Sequence, residues 1–175
     1  MTVEKFGHID GLVSNAAVSP AMGRIIDLTD DQWAKIFDIN VKSAWQLVKE
    51  AHPYLKKNAS IVIVSSIGGF QPTFPISAYG VSKTALLGLV KALAVELGAE
   101  GIRVNGLCPG LIKTRFSGEL YATPELEKQA AGRTFLFKLG VASEMGGVAT
   151  FLLSDDASYV TGENIVASGG TTSHL

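Results

Sequence analysis

A tyrosine and a lysine four residues apart, Tyr79 and Lys83, are the first candidates for chemistry in this chain. They stand at the start of a segment with apolar periodicity, so a helix would place both side chains on one face. A free phenol titrates near ~10. Because a neighbouring ammonium favours the phenolate, we expect Lys83 to lower the pKa of Tyr79 toward neutrality. Such a pair suits proton exchange with an alcohol or a carbonyl.

Ser66 adds a hydroxyl to this pair. It ends a run of β-forming residues at 61–66, so we expect it at the carboxyl end of a strand. Ligands of open α/β sheets bind beyond that end of the strands. Serine, tyrosine and lysine together therefore predict acid/base catalysis on an alcohol or a carbonyl.

The elements that must position these residues alternate between strand and helix. The predicted strands are 9–14, 61–65, 102–107 and 163–167, and the predicted helices begin near Asp30 or span 78–97 and 144–153. A loosely patterned segment lies between them at about 115–140. This order is typical of an α/β protein with a doubly wound parallel sheet.

Composition narrows the class of protein. A chain of 175 residues with 47% hydrophobic residues can bury one domain's core, and its net charge of -1 predicts no nucleic-acid partner. We expect no membrane span, because no apolar run approaches the ~20 residues that one requires. The single cysteine, Cys108, excludes an internal disulfide and reads as a small buried residue. The three histidines show no metal-ligand spacing, so no metal is expected.

Several further motifs stand in a fixed order along the chain. They are Ser14-Asn15-Ala16-Ala17, Asp38-Ile39-Asn40-Val41, Ser66, Tyr79 with Lys83, and Pro109-Gly110-Leu111-Ile112-Lys113-Thr114. With these motifs the chain resembles the short-chain dehydrogenase/reductase family along essentially its whole length. The resemblance implies a Rossmann-like three-layer α/β/α fold. It also implies reversible hydride transfer between a nicotinamide cofactor and a carbonyl or secondary alcohol.

The resemblance further implies a catalytic set of Asn40, Ser66, Tyr79 and Lys83. Tyr79 would exchange the proton with the substrate oxygen, and Ser66 would hydrogen-bond that oxygen. Lys83 would lower the pKa of Tyr79 and bind the nicotinamide ribose. Asn40 would hold a water that links Lys83 to solvent; the alternative is an asparagine that satisfies helix backbone groups.

The implied cofactor-binding set lies at the strand ends. It consists of Asn15, Ala16, Tyr79, Lys83, Pro109, Gly110, Ile112 and Thr114. Where the family commonly has a glycine, this chain has Ala17, which restricts positive φ. The segment 115–140 would cover the substrate. Its apolar residues suit a hydrophobic carbonyl and equally suit ordinary packing of a small helix pair.

The family's glycine-rich turn after the first strand has no counterpart here. Aligned on its motifs, the chain lacks the family's first strands, which would bind adenosine and pyrophosphate and select NAD or NADP. We therefore expect one partial domain over 1–175, with strand 9–14 as an exposed sheet edge. The chain would be a fragment, a truncated isoform or a subunit that needs another chain.

The motif set is also similar to a subgroup of peroxisomal NADPH-dependent carbonyl reductases that act on retinal and aromatic ketones. This implies NADP as cofactor, a small carbonyl or alcohol as substrate, and a homo-oligomer, tetrameric in complete relatives. The C-terminal Ser173-His174-Leu175 resembles a peroxisomal address; without it we expect a cytoplasmic protein. Two alternatives stay open: a non-catalytic isoform that associates with complete relatives, and an enzyme like 3-oxoacyl carrier-protein reductase.

Overall fold

A computed structural model describes residues 1–171 of the chain. The predicted targeting tripeptide at 173–175 lies outside the described residues. The helices are α1 (Thr2–Phe6), α2 (Asp30–Phe37), α3 (Ser43–Ala51), α4 (Ser77–Gly98), α5 (Pro124–Ala131) and α6 (Ala142–Leu153). The strands are β1 (Ile9–Ser14), β2 (Leu55–Val64), β3 (Arg103–Pro109), β4 (Ile112–Lys113), β5 (Gly140–Val141) and β6 (Asn164–Ala167).

Four of the strands form one parallel sheet in the order β1-β2-β3-β6. Val62 in the middle of β2 pairs with Val13 of β1 on one side and with Asn105 of β3 on the other. Residues 59–63 of β2 are all buried, as a strand covered on both faces should be. β1 forms one edge of the sheet and keeps Val13 42% exposed. The predicted parallel sheet and the exposed edge at 9–14 are both confirmed.

Helices cover both faces of this sheet. On one face, Ile61 and Ile63 of β2 pack with Leu86 and Val90 of α4 in the larger apolar cluster. On the other face, Val62 joins a second cluster that includes Leu152 of α6. Alternate residues of β2 therefore point to opposite layers, which gives the α/β/α arrangement.

Helix α4 is long and apolar enough, by length and composition alone, to cross a membrane. In that respect the expectation that no segment reaches this length is wrong. The helix packs on the sheet along one side, and the buried side includes the polar residues Tyr79, Ser82 and Lys83. A core helix of an α/β domain passes the same test.

Other boundaries differ from the sequence predictions for identifiable reasons. The helical run after Asp30 is interrupted by a π-helical turn at Asp38–Lys42, where the backbone bonds shift from i+4 to i+5. β2 begins at Leu55, six residues earlier than predicted. Its first half is polar and pairs only at the irregular end of β1, so it lacks the apolar pattern from which a strand is predicted. The segment 115–140 contains a capped helix, α5, whose Thr123 hydroxyl accepts from the Leu126 amide at 3.3 Å.

The start of α4 lies unusually close to the segment that follows β2. A methyl group added at Gly80 would lie 2.8 Å from the Cα of Pro72 and 2.9 Å from the carbonyl oxygen of Gly68. Both neighbours are backbone atoms, so they cannot move aside by a rotamer change. Gly88, two turns later on the same helix, has no atom within 4 Å of the corresponding position.

We predict that Gly80→Ala destabilises the chain by about 1–3 kcal/mol, because the added carbon overpacks a backbone contact. Gly88→Ala is the matched control. It should leave stability unchanged or raise it by up to about 1 kcal/mol, because alanine is the better helix former. Urea denaturation followed by circular dichroism measures both variants. Equal stability of the two would show that the helix does not need this close approach.

Candidate functional site

The predicted catalytic residues meet at the carboxyl edge of the sheet. Ser66 follows the end of β2 by two residues, and Tyr79 and Lys83 lie in the first two turns of α4. Asn40 lies on the π-helical turn and contacts the same part of α4 through Ser82. The structure therefore brings all four residues together, as the sequence predicts for a site beyond the strand ends.

Lys83 is almost fully buried, with 1% of its surface exposed. Its Nζ donates to the backbone carbonyl of Val64 at the end of β2 (2.8 Å) and lies 5.6 Å from the centre of the Tyr79 ring. Burial lowers the pKa of Lys83 to about 8, and the thiol of Cys108 opposes that shift. At neutral pH the side chain is still mostly an ammonium, held beside the phenol.

Tyr79 is also buried, and its phenol shifts in the opposite direction from the one predicted. Burial raises the pKa of Tyr79, and a hydrogen bond with the Ser66 hydroxyl only partly opposes this. Lys83 aims its ammonium at the Val64 carbonyl. The prediction that Lys83 lowers the pKa of Tyr79 toward neutrality is therefore wrong for the chain as described. The phenol stays protonated at neutral pH.

Ser66 lies in extended backbone at the start of a 3-10 turn, Ile67–Gly69. Its Oγ accepts from the amide of Gly68 at 3.0 Å, and this bond holds the hydroxyl just beyond the carboxyl end of β2. The same hydroxyl interacts with Tyr79. Since Ser66 and Tyr79 interact through their hydroxyls, one substrate oxygen could contact both.

The side chain of Asn40 joins two separate segments. Its Oδ1 accepts from the amide of Val18 (2.7 Å), and its Nδ2 donates to the carbonyl of Val18 (2.9 Å) and to the hydroxyl of Ser82 (3.0 Å). These partners lie in the loop after β1 and in α4, so the side chain satisfies loop backbone rather than backbone of its own helix. The predicted water relay stays a prediction.

The first part of the predicted cofactor set follows β1. Asn15 and Ala16 are exposed directly beyond its carboxyl end. The sequence from Asn15 to Val18 contains no glycine, so this turn does not provide the glycine-rich pyrophosphate cradle. Small, exposed residues at this point do fit the nicotinamide end of such a cofactor.

The second part of that set follows β3. Pro109 ends the strand, and a methyl group added at Gly110 would lie 2.8 Å from the Cα of Ser168, so glycine permits a close backbone approach there. Ile112 forms β4, and its carbonyl accepts from the Ser117 hydroxyl at 2.5 Å. Thr114 hydrogen-bonds the same hydroxyl at 3.1 Å. These residues fit the nicotinamide wall that the resemblance implies.

Sequence reasoning missed several residues that hold the site. Ser65 donates to the carbonyl of Lys83 (2.8 Å), and Thr84 donates to the carbonyl of Gly69 (2.6 Å). Within α4, Ser82 donates to the carbonyl of Tyr79 at 2.6 Å. For Ser82 and Thr84 the available signal is a serine or threonine inside an apolar helix, which often bonds the carbonyl one turn earlier, but nothing local signals the bond of Ser65.

Two aromatic and apolar features border the site. The ring of Phe116 lies 5.6 Å from that of Tyr79, centre to centre. A cavity of about 620 Å³ lies between the β6 edge and the β4–β5 pair. Ile112 lines it, but none of the four predicted catalytic residues does. The cavity is therefore separate from the Ser66 and Tyr79 hydroxyls.

Within residues 1–171, no three His, Cys, Asp or Glu side chains come together as a metal site. Cys108 is fully buried, as predicted, and burial raises the pKa of its thiol to about 11. The thiol is therefore protonated at neutral pH and is a poor metal ligand or nucleophile.

We predict that Lys83→Met stabilises the chain at pH 7 by about 2 kcal/mol. A lowered pKa means that the buried lysine contributes full stability only above its unfolded pKa of 10.5, and that this stability is lost as the pH falls through about 8. The shift corresponds to about 3 kcal/mol, and the lost bond to the Val64 carbonyl offsets about 1 kcal/mol.

Urea denaturation at pH 7 to 10.5 measures this difference, which should shrink above pH 8. Tyr79 titrates in both proteins, so its effect cancels, and Lys83 is the smallest of the influences on the pKa of Cys108. Lys91→Met, on the exposed side of the same helix, is the control and should show no such trend. A difference that does not change with pH would contradict a charged, buried Lys83.

Comparison with known proteins agrees with this architecture. A family model described as enoyl-(acyl carrier protein) reductase matches residues 1–172. Tropinone reductase-like 3 of Erythroxylum coca is 45% identical over 99% of this chain and 67% of its own length. Dehydrogenase/reductase SDR family member 4 of Homo sapiens is 49% identical over 99% of this chain and 63% of its own length. The chain thus spans about two thirds of the length of these curated relatives.

Solved structures share the fold. A short-chain dehydrogenase/reductase from Brucella melitensis, a glucose/ribitol dehydrogenase, matches with a TM-score of 0.93 at 35% identity, over 99% of this chain and 69% of its own. Thermoplasma acidophilum aldohexose dehydrogenase matches with a TM-score of 0.92 at 28% identity, over 99% of this chain and 72% of its own. Sequence, fold and the position of the tyrosine–lysine pair lead to one conclusion: the chain belongs to the short-chain dehydrogenase/reductase family.

Proposed function

We propose that this chain is the catalytic part of an NADPH-dependent oxidoreductase that reduces ketones and aldehydes to alcohols. The observation that carries the proposal is the buried phenol of Tyr79, which lies beside the Ser66 hydroxyl and the Lys83 ammonium. The names of the similar proteins, a reductase and several dehydrogenases, support chemistry that interconverts carbonyls and alcohols.

The residues would divide the reaction in a simple way. The nicotinamide cofactor, when bound, supplies the hydride. The Tyr79 hydroxyl donates its proton to the substrate oxygen, and the Ser66 hydroxyl hydrogen-bonds the negative charge that develops on that oxygen. The ammonium of Lys83, 5.6 Å from the ring centre, stabilises the phenolate that the transfer leaves.

The electrostatics favour carbonyl reduction at neutral pH. Because burial raises the pKa of Tyr79, the phenol carries the proton that reduction consumes. The resemblance to the carbonyl reductase subgroup supports NADPH as the cofactor. Phe116 beside Tyr79 supports a hydrophobic carbonyl, such as an aromatic ketone or retinal.

We predict that Tyr79→Phe lowers carbonyl reduction by about 10²–10⁴-fold, which is the usual contribution of a general acid. The phenyl ring keeps the packing, so NADPH affinity should stay within about threefold of that of the unchanged chain. Turnover is measured by NADPH oxidation with an aromatic ketone and with retinal, and affinity by NADPH fluorescence. Tyr159→Phe is the control, since the side chain of Tyr159 is fully exposed to solvent.

Unchanged turnover of Tyr79→Phe would refute the role of Tyr79, and faster turnover with NADH than with NADPH would refute the cofactor choice. The open β1 edge favours one second candidate, a non-catalytic subunit that pairs with a complete relative. That candidate gains support if the chain alone neither binds NADPH nor turns over but co-purifies with the relative. Size-exclusion chromatography of the chain tests the proposed homo-oligomer in the same preparation.

We also propose that Ser173-His174-Leu175 directs the protein to peroxisomes. A fluorescent protein that carries the last twelve residues should colocalise with a peroxisomal marker. The same fusion without the last three residues should stay diffuse in the cytoplasm. A diffuse signal from both fusions would refute the targeting role.

A further inference from the structure

Ser82 is a fully buried hydroxyl between the two proposed catalytic residues of α4. It lies three residues after Tyr79 and one before Lys83, with 0% of its surface exposed. Its Oγ donates to the carbonyl of Tyr79 at 2.6 Å and accepts from the Nδ2 of Asn40 at 3.0 Å. The hydroxyl therefore donates its single proton within the helix, and its oxygen accepts a hydrogen bond from another element.

In this arrangement every hydrogen of the Asn40 side-chain amide and its oxygen take part in a hydrogen bond. Its two Nδ2 hydrogens go to the Val18 carbonyl and to Ser82, and its Oδ1 accepts from the Val18 amide. Asn40 itself is 1% exposed, so water does not replace these bonds readily. If the Ser82 oxygen is removed, one buried amide hydrogen is left without a partner.

This series of hydrogen bonds connects both sides of the site. Val18 follows Asn15 and Ala16 in the loop after β1, where the cofactor set begins. Ser82 belongs to the helix that carries Tyr79 and Lys83. Asn40 lies between them on a π-helical turn, a local irregularity that is common at functional sites.

We propose that Ser82 is a positioning residue, which acts through Asn40 to fix the loop after β1 against the helix of Tyr79 and Lys83. Its catalytic consequence rests on the proposed reductase function. Without Ser82, the loop and the helix would be held by fewer bonds, and the proton donor would sit less accurately against the substrate oxygen. Errors of this kind lower kcat rather than binding.

The contact itself is tested without any turnover, by NMR of the ¹⁵N-labelled full chain. Asn40→Asp removes one side-chain amide signal pair and so assigns it. In the unchanged chain this pair should exchange with water more slowly than exposed asparagine amides by about 100-fold or more. Fast exchange in the unchanged chain would overturn the proposal, and this arm needs no variant that alters Ser82.

Ser82→Ala should accelerate exchange of the Asn40 side-chain amide by about tenfold or more. The matched control is Ser65→Ala, another buried serine whose hydroxyl donates to an α4 carbonyl, that of Lys83, at 2.8 Å. That control should leave the Asn40 amide protected. Ser82→Thr keeps a hydroxyl that can bond the same carbonyl and should retain protection. Equal protection in Ser82→Ala and in the unchanged chain would overturn the proposal.

The catalytic arm uses a double-mutant cycle on carbonyl reduction. Ser82→Ala should lower kcat by about tenfold or more with little change in the KM for NADPH, and Ser82→Thr should restore most of it. If Ser82 acts through Asn40, adding Ser82→Ala to Asn40→Ala should cost almost nothing further. If the fold-losses in kcat of the two single variants multiply in the double variant, Ser82 does not act through Asn40 and the proposal is overturned. Absence of turnover in the unchanged chain would instead count against the proposed function, while the exchange experiment still decides the contact.

Discussion

The close backbone contact between the start of α4 and the segment after β2 is the constraint on which the site depends. At Gly69 an added methyl group would lie 2.9 Å from the carbonyl of Lys83, and the Ser65 hydroxyl bonds that carbonyl. These contacts set the depth at which the helix lies on the sheet. Because Tyr79 and Ser66 stand on the two sides of this contact, its depth also sets the distance between their hydroxyls.

The same contact buries a cation, which costs stability. The pKa of Lys83 responds to burial and to the neighbouring thiol of Cys108, and no carboxylate contributes to it. Its ammonium donates to the carbonyl of Val64, a neutral partner. A buried charge without an ionic partner is unfavourable for folding, and the proposed role of Lys83 beside the phenolate of Tyr79 would account for its presence.

The sequence was sufficient for the main strands and helices and for the meeting of Asn40, Ser66, Tyr79 and Lys83 at one sheet edge, but not for the electrostatics. The strand run before Ser66 and the spacing of Tyr79 and Lys83 predicted their elements, because both signals are local. The sign of the Tyr79 pKa shift could not be read in this way, since it depends on how deeply α4 packs and where the Lys83 ammonium points. The bonds of Asn40 were also beyond reach, because Val18 and Ser82 lie 22 and 42 residues away in sequence.

The shifted pKa values of Lys83 and Tyr79 favour a charged ammonium beside a neutral phenol at neutral pH, rather than an ionised tyrosine that acts as a base. Below about pH 8 Lys83 is charged, and Tyr79, whose pKa burial raises, holds its proton. In the proposed reduction, proton donation by the phenol would create a negative charge next to a positive one, which lowers the cost of the transfer in a buried site. Above about pH 8 the lysine becomes neutral and this compensation is lost, although the phenol is still protonated. In the proposed reduction, the limiting group would therefore be Lys83 rather than Tyr79, which is the reverse of what the ordinary pKa values of the two side chains would suggest.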